Sequence, residues 1–176
     1  MDWLQLAQER KEELIKELQQ LIQIESVKDE NNFSDIMPFG AGPKAALEFM
    51  LQKGVEQGMT TKNVDHMAGH IEMGQGEEIV GVLCHVDVVP AGDLQNWTYP
   101  PFEGQVVEGK LFGRGAIDDK GPTMAAWLAM KLIHDAKIPL TKRVRMIIGT
   151  DEESGFQCVT RYFEKEDMPT VGFAPD

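Results

Sequence analysis

Cysteine is nearly absent from this chain. Its two copies, Cys84 and Cys158, lie far apart and make no disulfide framework, which excludes a bridge-stapled secreted scaffold and fits a reducing compartment. Basic charge is also short: 17 Lys and Arg stand against 29 Asp and Glu, leaving a formal net charge of -12. Such a surface repels polyanions, so nucleic acid is excluded as a partner. Long apolar runs are missing as well. The longest, such as Ile79 to Cys84, are of strand length, and the first 14 residues scatter charges, so they read as neither a signal-peptide core nor a membrane span. No G-x-G-x-x-G follows a strand, Gly40 to Lys44 lacks the spacing and hydroxyl of a phosphate loop, and Ser154 sits in no G-x-S-x-G elbow. Nucleotide binding and serine hydrolysis are thereby set aside. What is present is 176 residues, 42% of them hydrophobic, enough for one sizeable core. The expectation is a soluble, cytoplasmic, acidic α/β protein with no membrane partner.

Apolar residues at Leu14, Ile15, Leu18, Leu21 and Ile22 recur at helical spacing, so the first 25 residues read as one long amphipathic helix stopping near Ser26. A polar loop through Gly42 follows. Pro43 opens a second helix to about Gln57, with Gly58 as its stop. Residues 60–73 read as short strands, and the turn at Gly74 to Gly76 leads into a strand over Ile79–Cys84 whose unbroken apolar run predicts burial on both faces. From Val88 to Gly121 helical periodicity is lacking. A hairpin over Val106–Phe112, turning at Glu108 and Gly109, sits inside a loop long enough to be a working part. Pro122 marks the first turn of a helix to about Ala136, which Pro139 keeps from extending. Arg143–Gly149 is the next buried strand, Gly155 to Lys165 a short helix, and the segment after Pro169 a final strand. This alternation predicts an α/β fold with a mixed, mainly parallel sheet flanked by helices.

Three predicted buried strands end in potential metal ligands: His85 and Asp87 after the first, Glu152 and Glu153 after the second, Asp176 after the third. Ligand sites in open α/β sheets lie outside the carboxyl ends of strands, so these groups converge if the strands are neighbours running the same way. One acidic residue after a strand is usually a turn or a helix cap. Three such endings, joined by the adjacent carboxylates Asp118 and Asp119 in the glycine-rich turn Gly113 to Pro122, point to chemistry. Several carboxylates and an imidazole repel or distort one another's ionisation unless a cation neutralises them. A divalent metal does so, and nitrogen plus carboxylate oxygen suits zinc, manganese or cobalt; a bridging carboxylate suits two ions.

In an extended segment His85 and Asp87 share a face, so Asp87 can accept from the imidazole nitrogen not holding metal, while Cys84 faces away and packs. Glu152 and Glu153, being adjacent, cannot approach one ion equivalently. One binds metal and the other serves as general base toward a metal-activated water. His66 and His70 stand at i, i+4 but lack the glutamate of H-E-x-x-H and are interrupted by Gly69, and His134 reads as a surface residue late in a helix.

H-V-D-V-V-P-A-G-D at His85 to Asp93, then Trp97, Pro101 and Phe102, G-R-G-A-I-D-D-K-G-P, T-D-E-E and A-P-D together resemble the dinuclear zinc dipeptidases called peptidase V or Xaa-His dipeptidase. These belong to the superfamily of carboxypeptidase G, aminoacylase and succinyl-diaminopimelate desuccinylase. The resemblance implies a zinc-exopeptidase-like catalytic domain acting on small peptides. It also implies His85 and Asp176 on one zinc, Glu153 on a second, Asp118 bridging both, Glu152 as general base, Asp87 orienting His85, and a cis peptide between Asp118 and Asp119. Asp119 and Lys120 read as structural, shaping the turn and pairing locally.

Members of that family continue well past the position of Asp176. The expectation is therefore an N-terminal part of a catalytic domain, residues 1–176, without the lid or dimerisation domain and the rest of the catalytic domain, which include a histidine for the second ion and the basic groups that hold the substrate carboxylate. Such a piece keeps most of one metal site and is impaired or inactive alone. Two other readings stay open: deacylation of an N-acyl amino acid or N-succinyl diamino acid by the same centre, and a non-catalytic metal-binding or interaction fragment. Oligomeric state has no signature in the sequence.

Overall fold

Asp2 begins the first helix by accepting the Gln5 N–H at 3.0 Å, a side-chain cap on otherwise unpartnered amides. The computed structural model describes residues 1–176. Where one long helix was expected there are two, α1 (Trp3–Glu9) and α2 (Lys11–Ile22), broken at Arg10 with φ -100° and ψ 6°. The Arg10 guanidinium bonds Glu13 on one side and Asp135 on the other, each at 3.0 Å. Apolar periodicity reports which face is buried, and both helices bury theirs against α4 (Lys120–Asp135), so the spacing runs on through a backbone break. Next comes α3 (Ala41–Glu56), with Gly58 at φ +75° just past its end.

The main sheet contains β1 (Thr60–Val64), β2 (Ala68–Met73), β3 (Ile79–His85), β6 (Arg143–Gly149) and β7 (Val171–Phe173) in the order β1-β2-β6-β3-β7. β1 with β2 and β2 with β6 are antiparallel; β6 with β3 and β3 with β7 are parallel. The hairpin β4 (Gln105–Val107) and β5 (Lys110–Phe112) stands apart as a two-stranded sheet. Its two-residue turn has Glu108 at φ 50° and Gly109 at φ 78°, the left-handed pair that matches strand twist.

Period-two alternation divides the core. Met146 and Ile148 pack with Leu21, Leu47, Met50 and Trp127 of α2, α3 and α4, whereas Ile147 packs on the opposite face with Cys158, Val159 and Tyr162 of α5 (Gln157–Phe163). Each fully buried side chain of this kind contributes about 1.5–3 kcal/mol. β7 departs from the expected burial: Val171 is 57% and Phe173 58% exposed, because this strand is an edge paired with β3 alone. No helix is long and apolar enough to cross a membrane.

Candidate metal centre

The parallel run β6-β3-β7 brings the strand-end groups together. His85 pairs with Gly149, placing the Glu152–Ser154 turn just beyond the same sheet edge. Val82 pairs with Phe173, so His85 and Asp176 stand equally far past that couple on neighbouring parallel strands. Asp118 arrives separately, from the turn that opens α4. His85 Nε2 lies 3.0 Å from Asp118 Oδ1, 3.7 Å from Asp176 Oδ2 and 3.9 Å from Glu152 Oε2. Ligand atoms of His85, Asp118 and Asp176 all fall within 4.8 Å of one another. Glu153 stands outside that group, although the Asp118 charge still reaches it: burial first, then Asp118, hold its carboxyl above the ordinary range.

The imidazole itself is buried while Asp118 and Asp176 keep side-chain exposures of 58% and 41%, so the cluster is open on its acidic side. On the far side of the ring, Nδ1 lies 3.1 Å from the Asp87 carbonyl and 3.3 Å from its carboxylate. A proton on Nδ1 donating there leaves the Nε2 lone pair facing the acidic cluster, the tautomer a metal ligand needs. Burial disfavours the charged ring, yet Asp87, Asp119 and Glu152 outweigh it and push the His85 pKa up to about 9. A cation is what these carboxylates call for. Nitrogen and oxygen donors at this spacing fit zinc, manganese or cobalt.

The Asp87 carboxylate also accepts the N–H groups of Glu152 and Glu153, at 3.1 Å each, and so ties the β3 end to the β6 end. Asp119 holds the backbone of His85. Its Oδ2 accepts the His85 N–H at 3.0 Å and lies 3.1 Å from the Thr123 hydroxyl, which is also 3.2 Å from the His85 carbonyl. Burial pushes the Asp119 pKa up to about 6 against these donors. The Asp118–Asp119 peptide is cis, as the resemblance implied. Two residues on, a Cβ at Gly121 would stand 2.1 Å from the Ala116 carbonyl oxygen, so this turn admits no side chain there.

Lys120 corrects the expectation of local pairing. Its buried ammonium donates to the carbonyls of Leu21 at 2.9 Å and Ile24 at 2.7 Å, at the C-terminal end of α2. Asp119 is turned toward β3, and the carbonyls at the helix end, of which Leu21 also takes the Ile24 N–H at 3.2 Å, are acceptors a four-carbon stem can reach. Burial lowers the ammonium's pKa to about 7, with Asp87 working the other way.

His66 lies in the β1–β2 turn, and His70 is buried beneath α5 with Nδ1 2.6 Å from the Tyr162 hydroxyl; neither joins the cluster. His134 sits near the end of α4. Cys84 is buried in the core, as its alternation predicted. Sequence reasoning missed Asp151. This fully buried carboxylate accepts the Gln157 N–H at 3.2 Å and the Cys158 N–H at 2.7 Å, capping α5 and bracing the loop that carries both glutamates. An acidic residue shortly before a helix was the available signal.

Residues 81–172 match the model of Peptidase family M20/M25/M40. "Putative dipeptidase YtjP" of Bacillus subtilis (strain 168) is 54% identical over 176 residues, covering 100% of this chain and 38% of that protein. "Putative dipeptidase SH1171" of Staphylococcus haemolyticus (strain JCSC1435) is 49% identical over 174 residues, 99% of this chain and 37% of that one. The chain thus spans under two fifths of these relatives' length. Among solved structures, human carnosine dipeptidase 1 superposes with a TM-score of 0.77 at 24% identity, covering 92% of this chain and 37% of that one. An M20 family metallo-carboxypeptidase from Sulfolobus solfataricus gives 0.76 at 20% identity, covering 93% and 37%. These likenesses fix the fold as the mixed α/β fold that those two structures share with this chain. With its match extending over more than half of the residues, the chain belongs to peptidase family M20/M25/M40.

Proposed function

We propose that this chain is the N-terminal, metal-holding part of a catalytic domain that hydrolyses dipeptides with two zinc ions. One observation carries the reading: His85 Nε2 faces Asp118, Asp176 and Glu152 within 3.0–3.9 Å at the carboxyl end of the parallel strands of a mixed sheet. The names of the curated relatives supply the substrate class. His85, Asp118 and Asp176 would hold one ion and Glu153 would contribute to a second; manganese or cobalt suits the same donors. A divalent ion there supplies Lewis acidity toward a peptide carbonyl and toward water.

This chain's own residues do the rest. Glu152 takes the proton of the attacking water on its carboxylate and returns it to the leaving amine nitrogen. Asp87 keeps the Nδ1 proton of His85 in place and, through the Glu152 amide, fixes where the base stands. A lid or dimerisation domain, the remaining ligand of the second ion and the rest of the catalytic domain belong to the length by which the relatives exceed this chain. Two buried free thiols, Cys84 and Cys158, support placing the protein in the cytoplasm.

The test is zinc content together with a substrate panel, on the 176-residue chain and on the full-length protein that contains it. Zinc-dependent dipeptide turnover by the longer protein, and weak or no turnover by this chain with zinc retained, is the expected result. Robust turnover by the 176 residues alone refutes the division of labour. Cleavage of N-acyl amino acids with dipeptides spared reassigns the substrate, and zinc bound without any hydrolysis reassigns the site as non-catalytic.

A further inference from the structure

Ser26 lies just past the end of α2, outside any helix or strand, and is fully buried. Both of its polar groups go to the short segment that follows β3. The Ser26 hydroxyl donates to the Val86 carbonyl at 2.5 Å, and the Ser26 carbonyl accepts the Val88 N–H at 3.1 Å. Those two groups belong to the peptides on either side of Asp87, so one residue pins both. Val86, Asp87 and Val88 are themselves buried, and their backbone groups depend on protein partners. The peptide joining Asp87 to Val88 serves twice: its N–H donates to Ser26, and its carbonyl lies 3.1 Å from His85 Nδ1. Ser26 therefore reaches the imidazole through a single polarised peptide unit.

This anchor is itself fixed from two sides. A Cβ on Gly42, in the first turn of α3, would stand 2.0 Å from the Glu25 carbonyl oxygen and 3.1 Å from the Ser26 Cα, so α3 packs directly on this backbone. On the other side Lys120, in the turn that carries Asp118, holds the Leu21 and Ile24 carbonyls. The end of α2 thus touches both stretches of chain that bring candidate ligands, the one after β3 and the one before α4. A hydroxyl that only filled a core gap needs one acceptor anywhere; Ser26 instead spends its donor and its acceptor on the two peptides of one aspartate. We propose that Ser26 is a positioning residue of the metal centre: it fixes the Asp87 backbone, so that the Asp87 carboxylate meets the Glu152 and Glu153 amides and the Asp87 carbonyl meets His85 Nδ1. The inference deepens the hydrolase reading and rests on it for the reaction that this geometry serves.

The experiment uses the full-length protein that contains this chain. In Ser26→Ala, zinc affinity by chelator competition is expected to fall about tenfold. Turnover is expected to lose about tenfold or more in kcat, with KM within about twofold. In metal-free protein, amide exchange at Val88, Glu152 and Glu153 should rise about tenfold while β2 keeps its protection. Ser26→Thr keeps the hydroxyl and restores both zinc affinity and protection. Ile71→Val, a buried change in β2, gives the comparison: it lowers the urea midpoint and leaves zinc affinity as it was. The assignment is overturned if Ser26→Ala lowers the urea midpoint with zinc affinity and the two glutamate amides unchanged, as a serine that only stabilises the fold would. It is also overturned if Ser26→Thr, folded as stably as the unaltered protein, behaves like Ser26→Ala. Should Ser26→Ala fail to fold, Ser26→Cys, a weaker donor, is read by exchange in metal-free protein alone, and unchanged protection of Glu152 and Glu153 overturns the assignment. Hydrolysis is scored separately. Loss of zinc affinity and protection, without dipeptide turnover even by the unaltered protein, sinks the hydrolase reading and leaves Ser26 in its role. Turnover and zinc affinity that Ser26→Ala matches in full do the reverse.

Discussion

Asp87 accepts the Glu152 backbone N–H at 3.1 Å, joining the end of β3 to the end of β6 directly beside the acidic cluster. The same carboxylate takes the Glu153 N–H and flanks His85 Nδ1, so one buried side chain holds three candidate site residues. Asp87→Asn replaces an acceptor oxygen by an NH2 group facing an N–H donor. Zinc affinity is expected to fall by about 10–100-fold, as for other partners that orient a metal-bound histidine. Competition against a chromophoric chelator measures it, and unchanged affinity would remove Asp87 from the orienting role.

Glu152 and Glu153 are separable by what each loses. Glu152→Gln keeps the shape and removes the proton acceptor, so the full-length protein should retain its zinc and lose about 10²–10⁴-fold in kcat. Glu153→Gln should instead lower zinc stoichiometry. Metal analysis beside dipeptide kinetics reads both, and exchanged phenotypes would exchange the roles.

Lys120 caps α2 from inside the core. In Lys120→Met the Leu21 and Ile24 carbonyls lose their buried donor, which costs about 1–3 kcal/mol. Urea unfolding is expected to show a lower midpoint with an unchanged slope. A midpoint equal to that of the unaltered chain would mean water replaces the ammonium.

Asp151→Ala uncaps α5 and should destabilise by about 1–2 kcal/mol, with Asp151→Asn recovering part of the loss. Because Asp151 precedes Glu152 directly, hydrogen exchange at residues 152–158 should rise more than in β3. Uniform change across the sheet would contradict a local cap.

His70 gives a pH window. Burial first, then the neighbouring Arg145 and Lys62, lower its pKa to about 4 against the opposing pull of Glu166 and Glu72. Arg145 Nη1 donates to the Tyr162 oxygen at 3.4 Å, so Tyr162 donates to His70 Nδ1. A depressed folded value means that the unfolded chain binds the proton first. The neutral ring's contribution is complete above about pH 6.5 and is lost as pH falls toward 4, at most about 3 kcal/mol. Urea titrations at several pH values, compared with His70→Phe, isolate the effect; parallel curves for the two proteins would rule it out.

Much of this was legible in one dimension. β6 occupies the expected residues, and α4 and the β4–β5 hairpin lie close to theirs, because Pro122, Pro139 and the Glu108-Gly109 turn act on their own neighbours. The break at Arg10 was hidden, since its ion pair with Asp135 spans 125 residues and leaves no trace in local periodicity. Asp151 was passed over for the same reason that Glu152 and Glu153 were noticed: a run of acids after a strand does not say which one turns inward. For Lys120 the partners lie 96 and 99 residues upstream, beyond any short-range rule.

The amino-acid order by itself decided which groups could carry chemistry and, the break at Arg10 apart, roughly where strands and helices lie, because capping, turn geometry and apolar spacing act over a few residues. Tertiary structure alone decided that β3, β6 and β7 lie side by side and run the same way, and that pairing is what carries Asp176 and Glu152 to within 4 Å of His85. Coulomb forces among like carboxylates oppose such a gathering. Hydrogen-bonded sheet register, together with the buried Asp87 and Asp119 brackets, holds it in place.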